Sequence, residues 1–166
     1  MKNRSKVLKI SRSLKYHAQL LERTFRSSWP WDLTRLMCDT YLEGLWEHLK
    51  EIDRLLPADS HLKNKIAKSE GNLQQLADKI YMKASWLHNN FDSPKYSDWS
   101  VTLVVGRTIY KGFLARLTEF QELYNRTVEE RKHEVVKDSS FTKLIDLSDE
   151  MKENVKRVKA KYNIAE

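Results

Sequence analysis

The sequence predicts an all-α fold, an elongated up-and-down bundle of about five long amphipathic helices. Apolar residues recur at spacings of three and four through most of the chain, which is the period of a helix with one buried face. The chain holds only 4 Gly and 3 Pro, and a sheet protein of 166 residues needs more turn residues than that. With 40% hydrophobic and 32% charged residues, residues 1–166 have enough apolar material for one helical-bundle domain.

Prolines and capping residues divide the chain into five predicted helices. Pro30 interrupts the first apolar stripe, because a proline disfavours helix at the residue before it. Asp32 is suited to cap the second helix, and Pro57 ends it. The predicted helices span residues 5–26, 33–56, 61–89, 98–136 and 141–163.

The last three predicted helices are longer than a compact bundle needs. In the third and fifth helices the apolar residues alternate in a four-three rhythm, which is typical of a coiled-coil seam. Short connections between the helices favour antiparallel neighbours. We therefore expect either an elongated bundle or one that a protein partner or a second copy of the chain completes.

The net charge of +7 is concentrated at the N-terminal end of the chain. Residues 1–31 hold eight Lys or Arg and one acid, Glu22, whereas the remaining residues hold 22 basic and 22 acidic side chains. Such an asymmetry favours an anionic partner, and cations opposite the apolar stripe are placed to contact phosphates. The predicted nucleic-acid-binding residues are Lys2, Arg4, Lys6, Lys9, Arg12, Lys15, Arg23 and Arg26.

Cysteine and hydropathy patterns bear on the compartment. Cys38 is the single cysteine, so the chain forms no internal disulfide and suits a reducing compartment. No apolar run reaches the roughly 18 residues that a bilayer span requires, so we predict no transmembrane segment. We expect an intracellular, cytoplasmic protein. The basic, serine-containing and nearly acid-free first segment also fits a mitochondrial presequence.

A second charged pattern, NRTVEERKH, lies near the end of the fourth predicted helix. His133 follows Arg126 by seven positions, with six residues between them, so the two side chains project from nearly the same face, two turns apart. This spacing resembles the Arg-(four to six residues)-His motif of HEPN-domain ribonucleases, helical bundles that often work as dimers. The resemblance covers residues 126–133 and implies that Arg126 and His133 are catalytic residues. The alternative interpretation is a solvated charged stretch near a helix end, and the chain is then not an enzyme.

Histidines and glycines give no pattern that holds a metal or a cofactor. No two histidines have the i, i+4 spacing of a helical metal site, and a di-iron bundle needs two Glu-x-x-His motifs where the chain has one. The four glycines do not have the spacing of a phosphate-binding loop. We therefore predict no metal and no cofactor. The histidines are His17, His48, His61, His88 and His133.

Five tryptophans and seven tyrosines are many for a chain of this length. Trp29, Trp31 and Trp99 lie at predicted helix junctions, where large rings bury much area. We expect them to close the ends of the core. Exposed rings beside Lys or Arg would instead stack on bases or anchor a protein interface.

Together these patterns favour a non-enzymatic protein whose basic first helix contacts nucleic-acid phosphates, in the manner of a small subunit of a nucleoprotein assembly. An acidic protein and an anionic membrane surface also fit a cationic helix. A helical protein-protein interaction module or adaptor is the first alternative, and a HEPN-like ribonuclease is the second. A solvated outer face of an ordinary bundle helix would give the same charge pattern without any partner.

Overall fold

The computed structural model of the chain describes residues 2–58 and 71–135, and these form four α-helices. The helices are α1 (Lys2–Arg26), α2 (Trp31–Leu55), α3 (Leu73–Asp92) and α4 (Trp99–Val135). The predicted all-α fold class is confirmed, and the described ranges contain no strand. The fifth predicted helix, 141–163, lies outside the described residues.

The largest difference from the predicted boundaries is at the start of α3. The predicted helix 61–89 passes through Gly71, whereas α3 begins at Leu73, and residues 61–70 of the prediction lie outside the described residues. A capping box at Asn72 fixes this start: its side chain accepts a hydrogen bond from the Gln75 backbone N–H at 2.8 Å, and its own N–H donates to the Gln75 side chain at 3.2 Å. The two side chains satisfy donors that a helix beginning here would otherwise leave unpaired.

α2 also begins before the predicted cap. Its N-cap residue is Pro30, which makes no side-chain capping bond, and Asp32 lies inside the first turn. A proline suits this boundary because it has no backbone N–H to leave unpaired, and an acid in the first turn interacts favourably with the helix dipole. The bounds of α1, α2 and α4 otherwise agree with the prediction to within one turn.

The four helices form a bundle in which each helix is antiparallel to both helices beside it. α1 packs along α2 and α3, and α4 packs along α3. Phe91 near the end of α3 contacts Trp99 at the start of α4, with ring centroids 5.9 Å apart. Ser11 in the first half of α1 is hydrogen-bonded to His88 in the last turns of α3. α2 and α3 therefore run in one direction, and α1 and α4 run in the other. The predicted up-and-down order thus holds from α1 to α2 and from α3 to α4 but not from α2 to α3, because α3 packs along α1 and not along α2.

The seam between α2 and α4 closes the bundle mainly through side chains, since these two backbones approach each other closely at few positions. The Tyr124 hydroxyl donates to the Asp39 carboxylate at 2.5 Å, and the Trp46 indole N–H donates to the Gln121 side-chain oxygen at 3.0 Å. At the far end of the seam, Arg107 donates to the last turn of α2. Polar bonds thus hold this seam at three levels.

The core is apolar, and α1 supplies one complete stripe of it. The apolar stripe of α1 is buried from Val7 to Leu21, and Phe25 at its end is partly buried against the core. Full burial of a side chain such as Leu14 or Leu21 stabilises the fold by roughly 1.5–3 kcal/mol. Cys38 also lies in the core with no exposed surface, and burial raises the pKa of its thiol well above the usual value. The buried stripe of α1 is Val7, Ile10, Leu14, Ala18 and Leu21.

Candidate nucleic-acid interface

The outward face of α1 carries four of the eight predicted phosphate contacts. The apolar stripe of α1 faces α2 and α3, so side chains on the opposite side of the helix point to solvent. Four predicted cations lie on that side with exposed side chains, and they extend along about 26 Å of helix at 1.5 Å per residue. We call these four residues the basic face: Lys6, Lys9, Arg12 and Arg23.

The single acid of α1 does not lie among these cations. Glu22 is buried, and its carboxylate pairs with the Arg26 guanidinium at 2.5 Å. Arg26, a predicted phosphate contact, therefore already has an anionic partner one turn away. The four cations of the basic face have no acid of α1 paired with them to compensate their charge, which makes this surface attractive to anions.

Three further predicted contacts are placed differently. The Arg4 guanidinium lies 5.1 Å from the ring centroid of Trp99, where a cation and an aromatic face attract each other. Arg4 and Trp99 line a cleft with Ser97 and Asp98 at the end of the bundle where α4 begins. Lys15 is half-buried at the edge facing α3. The side chain of Lys2 lies outside the described part of the chain, and its backbone belongs to α1.

A buried polar pair joins α1 to α3 next to the basic face. The Ser11 hydroxyl donates to the Leu8 carbonyl oxygen at 3.0 Å, and the same oxygen lies 3.0 Å from His88 Nδ1. Because the hydroxyl has one hydrogen, Nδ1–H of His88 must be the donor in the second bond. Burial lowers the pKa of His88 below its ordinary value, despite the opposing effect of Asp92. Sequence analysis alone did not reveal this pair.

A second polar pair, formed by the rings of His17 and His48, lies between α1 and α2. His17 Nδ1 donates to the Ser13 carbonyl oxygen at 2.8 Å, and the ring centroids of His17 and His48 are 5.2 Å apart. Burial, followed by the neighbouring His17, lowers the pKa of His48. The His17 ring fits here because Gly44 has no side chain: a Cβ on Gly44 would lie 2.6 Å from His17 Cδ2. The absence of a side chain at Gly44 therefore sets how closely α1 and α2 approach.

The predicted ribonuclease residues both belong to α4. Arg126 is exposed, and the backbone of His133 follows two turns later in the same helix. The side chain of His133 lies outside the described residues, so its distance from Arg126 is not defined. The ribonuclease hypothesis therefore stays a prediction.

A cleft of about 480 Å³ lies at the end of the bundle where α2 and α3 begin. Trp29 and Trp31 line it, and the Arg131 guanidinium lies 4.4 Å from the Trp31 ring centroid. Trp31 is half-buried against the core, as predicted for a junction tryptophan, whereas Trp29 is 38% exposed. The pairing of Trp31 with Arg131 joins residues far apart in sequence, so no local pattern indicates it.

Residues 2–58 and 71–135 present neither a cluster of metal ligands nor a membrane-spanning helix. No group of three or more His, Cys, Asp or Glu side chains there is arranged to hold a metal ion. None of the helices there has an apolar stretch long enough to cross a bilayer.

Comparison of the chain with protein-family models, with curated proteins and with solved structures found no match.

Proposed function

We propose that the protein is a non-enzymatic binding protein that contacts nucleic-acid phosphates through the basic face of α1. One observation carries the proposal: Lys6, Lys9, Arg12 and Arg23 are all exposed on the side of α1 that the bundle leaves open, while Glu22 is buried. The apolar stripe of α1 fixes the helix to the core. The cations are thereby held on a rigid element and not on a flexible tail.

The charge distribution outside α1 supports a localised binding surface for nucleic acid on α1. It does not support a general attraction of anions to the whole protein. α2 carries six acids and three Lys or Arg, so the cations of α1 are not part of a uniformly basic surface. A rod of cations about 26 Å long matches a linear polyanion, whose phosphates release counterions when Lys or Arg neutralises them. A small subunit of a nucleoprotein assembly would use such a surface.

Salt dependence of binding tests the proposal. If the four cations each neutralise one phosphate, affinity should fall by about 50-fold for a single strand and about 150-fold for a duplex between 50 and 200 mM salt. The double charge reversal of Lys9→Glu with Arg12→Glu should abolish most binding and reduce the salt dependence. Fluorescence anisotropy of labelled oligonucleotides measures both effects.

The matched control reverses two exposed cations on another helix. Lys50→Glu with Arg54→Glu changes the net charge by the same amount, and both side chains are exposed on α2. Binding that is insensitive to salt, or an equal loss in both double variants, would rule out the basic face as the binding surface. Circular dichroism of each variant establishes that the helices are retained.

A second candidate function is a protein-protein interaction module, and the outer side of α4 favours it. Val101 and Val104 are 41% and 57% exposed, one turn apart. Neighbouring exposed apolar side chains are typical of interaction sites when they form a continuous patch. Molar mass measured by light scattering across a dilution series, for the wild-type chain and for Val104→Glu, tests self-association. A monomer at every concentration would contradict a homo-oligomer.

A further inference from the structure

Tyr16 lies in the middle of the basic face, with its ring in solvent. Its side chain is 59% exposed, more than any other large hydrophobic side chain in the described part of the chain. It follows Lys9 by seven residues and precedes Arg23 by seven, and it is one turn from Arg12, so these side chains form one row. An exposed aromatic ring is therefore flanked on both sides by cations along the helix.

The surroundings of Tyr16 leave its ring accessible. The neighbouring His17 side chain turns into the seam with α2. The rings of Tyr16 and His17 contact each other nearly perpendicularly, with centroids 6.0 Å apart and planes at 86°. Such a contact leaves at least one ring face of Tyr16 open. By contrast, the exposed Trp86 of α3 carries the Lys83 ammonium 4.6 Å from its ring centroid. Tyr16 thus differs from Trp86 in having cations on both sides of it along the helix, whereas the Lys of α3 at helical spacing from Trp86 all precede it.

We propose that the basic face binds single-stranded nucleic acid and that Tyr16 stacks on one of its bases while Lys9, Arg12 and Arg23 contact the phosphates. This inference rests on the proposed function and adds the class of nucleic acid. In a duplex both faces of each base are already stacked, so an aromatic ring contacts one only after the base is unstacked. In a single strand the bases turn outward, and every base offers a face to an aromatic ring whatever its identity.

The experiment compares a single-stranded oligonucleotide with a duplex of the same length, each labelled and titrated with the full chain by fluorescence anisotropy at low salt. Tyr16→Leu keeps an apolar, helix-favouring side chain but removes the ring. We expect it to weaken binding of the single strand by about tenfold and to leave the duplex unchanged. Tyr16→Phe keeps the stacking surface and should bind like the wild type.

Two controls assign the loss to stacking. Trp86→Leu removes an exposed ring outside the basic face and should leave the affinity unchanged. An oligonucleotide with abasic sites at its centre should bind the wild type more weakly than the intact strand, whereas Tyr16→Leu should bind both strands equally. The salt dependence of Tyr16→Leu should match that of the wild type, since no charge is altered.

The possible outcomes separate this inference from the proposed function. If the wild type binds nucleic acid with the expected salt dependence but Tyr16→Leu binds equally well, stacking is refuted and the phosphate contacts stand. Equal affinity for the single strand and the duplex likewise overturns the inference alone. Absence of binding to either at low salt overturns both.

Discussion

Arg107 of α4 is hydrogen-bonded to the carboxyl end of α2, and its loss should destabilise the whole bundle. Its guanidinium donates to the carbonyl oxygens of Pro57 at 2.7 Å and of Leu56 and Asp53 at 2.9 Å each, and to the Asp53 carboxylate. The carbonyl groups in the last turn of a helix have no partners within that helix. Arg107 supplies partners from another helix and brings a positive charge to the negative end of the α2 dipole.

The size of the effect follows from this geometry. Arg107 is 8% exposed, so its bonds are largely shielded from water. A hydrogen bond to a charged group contributes about 1.5–3 kcal/mol to stability. The carbonyl acceptors lie at a helix end, however, where water can form some of the hydrogen bonds that the loss of Arg107 removes. The Asp53 side chain is half-exposed, so its ion pair contributes little by itself. We expect Arg107→Met, which keeps the aliphatic stem, to lower the free energy of unfolding by about 3 kcal/mol.

Urea denaturation followed by circular dichroism measures this loss. A loss of about 3 kcal/mol corresponds to a melting temperature lowered by roughly 6–12 °C for a chain of this length. The control is Lys132→Ala, which removes an exposed i, i+3 pair with Glu129 at 3.2 Å and should cost less than about 0.5 kcal/mol. A loss below about 1 kcal/mol for Arg107→Met, or equal losses in the two variants, would refute the capping role.

Two further predictions concern the seams of α1. Gly44→Ala should lower the free energy of unfolding by about 1 kcal/mol, because the clash with the His17 ring outweighs the better helix propensity of alanine. In a His17→Ala background the same substitution should instead stabilise the fold, and denaturation of the two single variants and the double variant checks this change of sign. The pKa values of His48 and His88 are lower in the folded chain than the ordinary value of 6.5, so the unfolded chain binds more protons and stability should fall as pH drops below about 6.5. Replacing both histidines with Gln should flatten the dependence of unfolding free energy on pH between 7 and 5, and an unchanged dependence would contradict the assignment.

The helical fold could be predicted because its signal is local. Spacings of three and four identify the buried stripe of α1, and Pro30 and Pro57 bound α2 within a turn. The start of α3 was missed because the apolar rhythm continues through Gly71, while the capping box at Asn72 decides where the helix begins. Periodicity therefore indicated that a helix was present more reliably than where it started.

The first turns of α4 show a different limit of periodicity. The apolar spacing favours Val101 as a buried residue, yet it is 41% exposed and the neighbouring Thr102 is fully buried. Gly106, one turn later, is buried against the Phe91 ring, which occupies the space that a side chain at this position would need. The Asn90 side-chain amide also donates to the Thr102 carbonyl oxygen at 3.0 Å. Small and polar residues form the packed face here because another helix fills the space beside them.

The candidate interface was predictable in charge but not in detail. The run of cations in α1 indicated where the binding surface lies. Whether each cation is exposed, paired or partly buried depends on residues distant in sequence. Arg4 lies over Trp99, and Lys15 is half-buried beside α3. Ser11 lies at helical spacing from Val7 and Leu14 of the apolar stripe, and it is buried and bonded to His88. Such pairings depend on how the helices pack, which the spacing of charges does not reveal.

The charge of α1 also links ligand binding to folding. The first three cations of the basic face follow one another at intervals of three residues: Lys6, Lys9 and Arg12. Like charges at this spacing oppose helix formation by roughly 0.2–0.5 kcal/mol per pair. The buried stripe of α1 holds the helix in place against that repulsion. A polyanion that binds the folded chain in preference to the unfolded one should relieve the repulsion and raise the melting temperature as its concentration rises. The bundle would then be most stable when α1 is occupied.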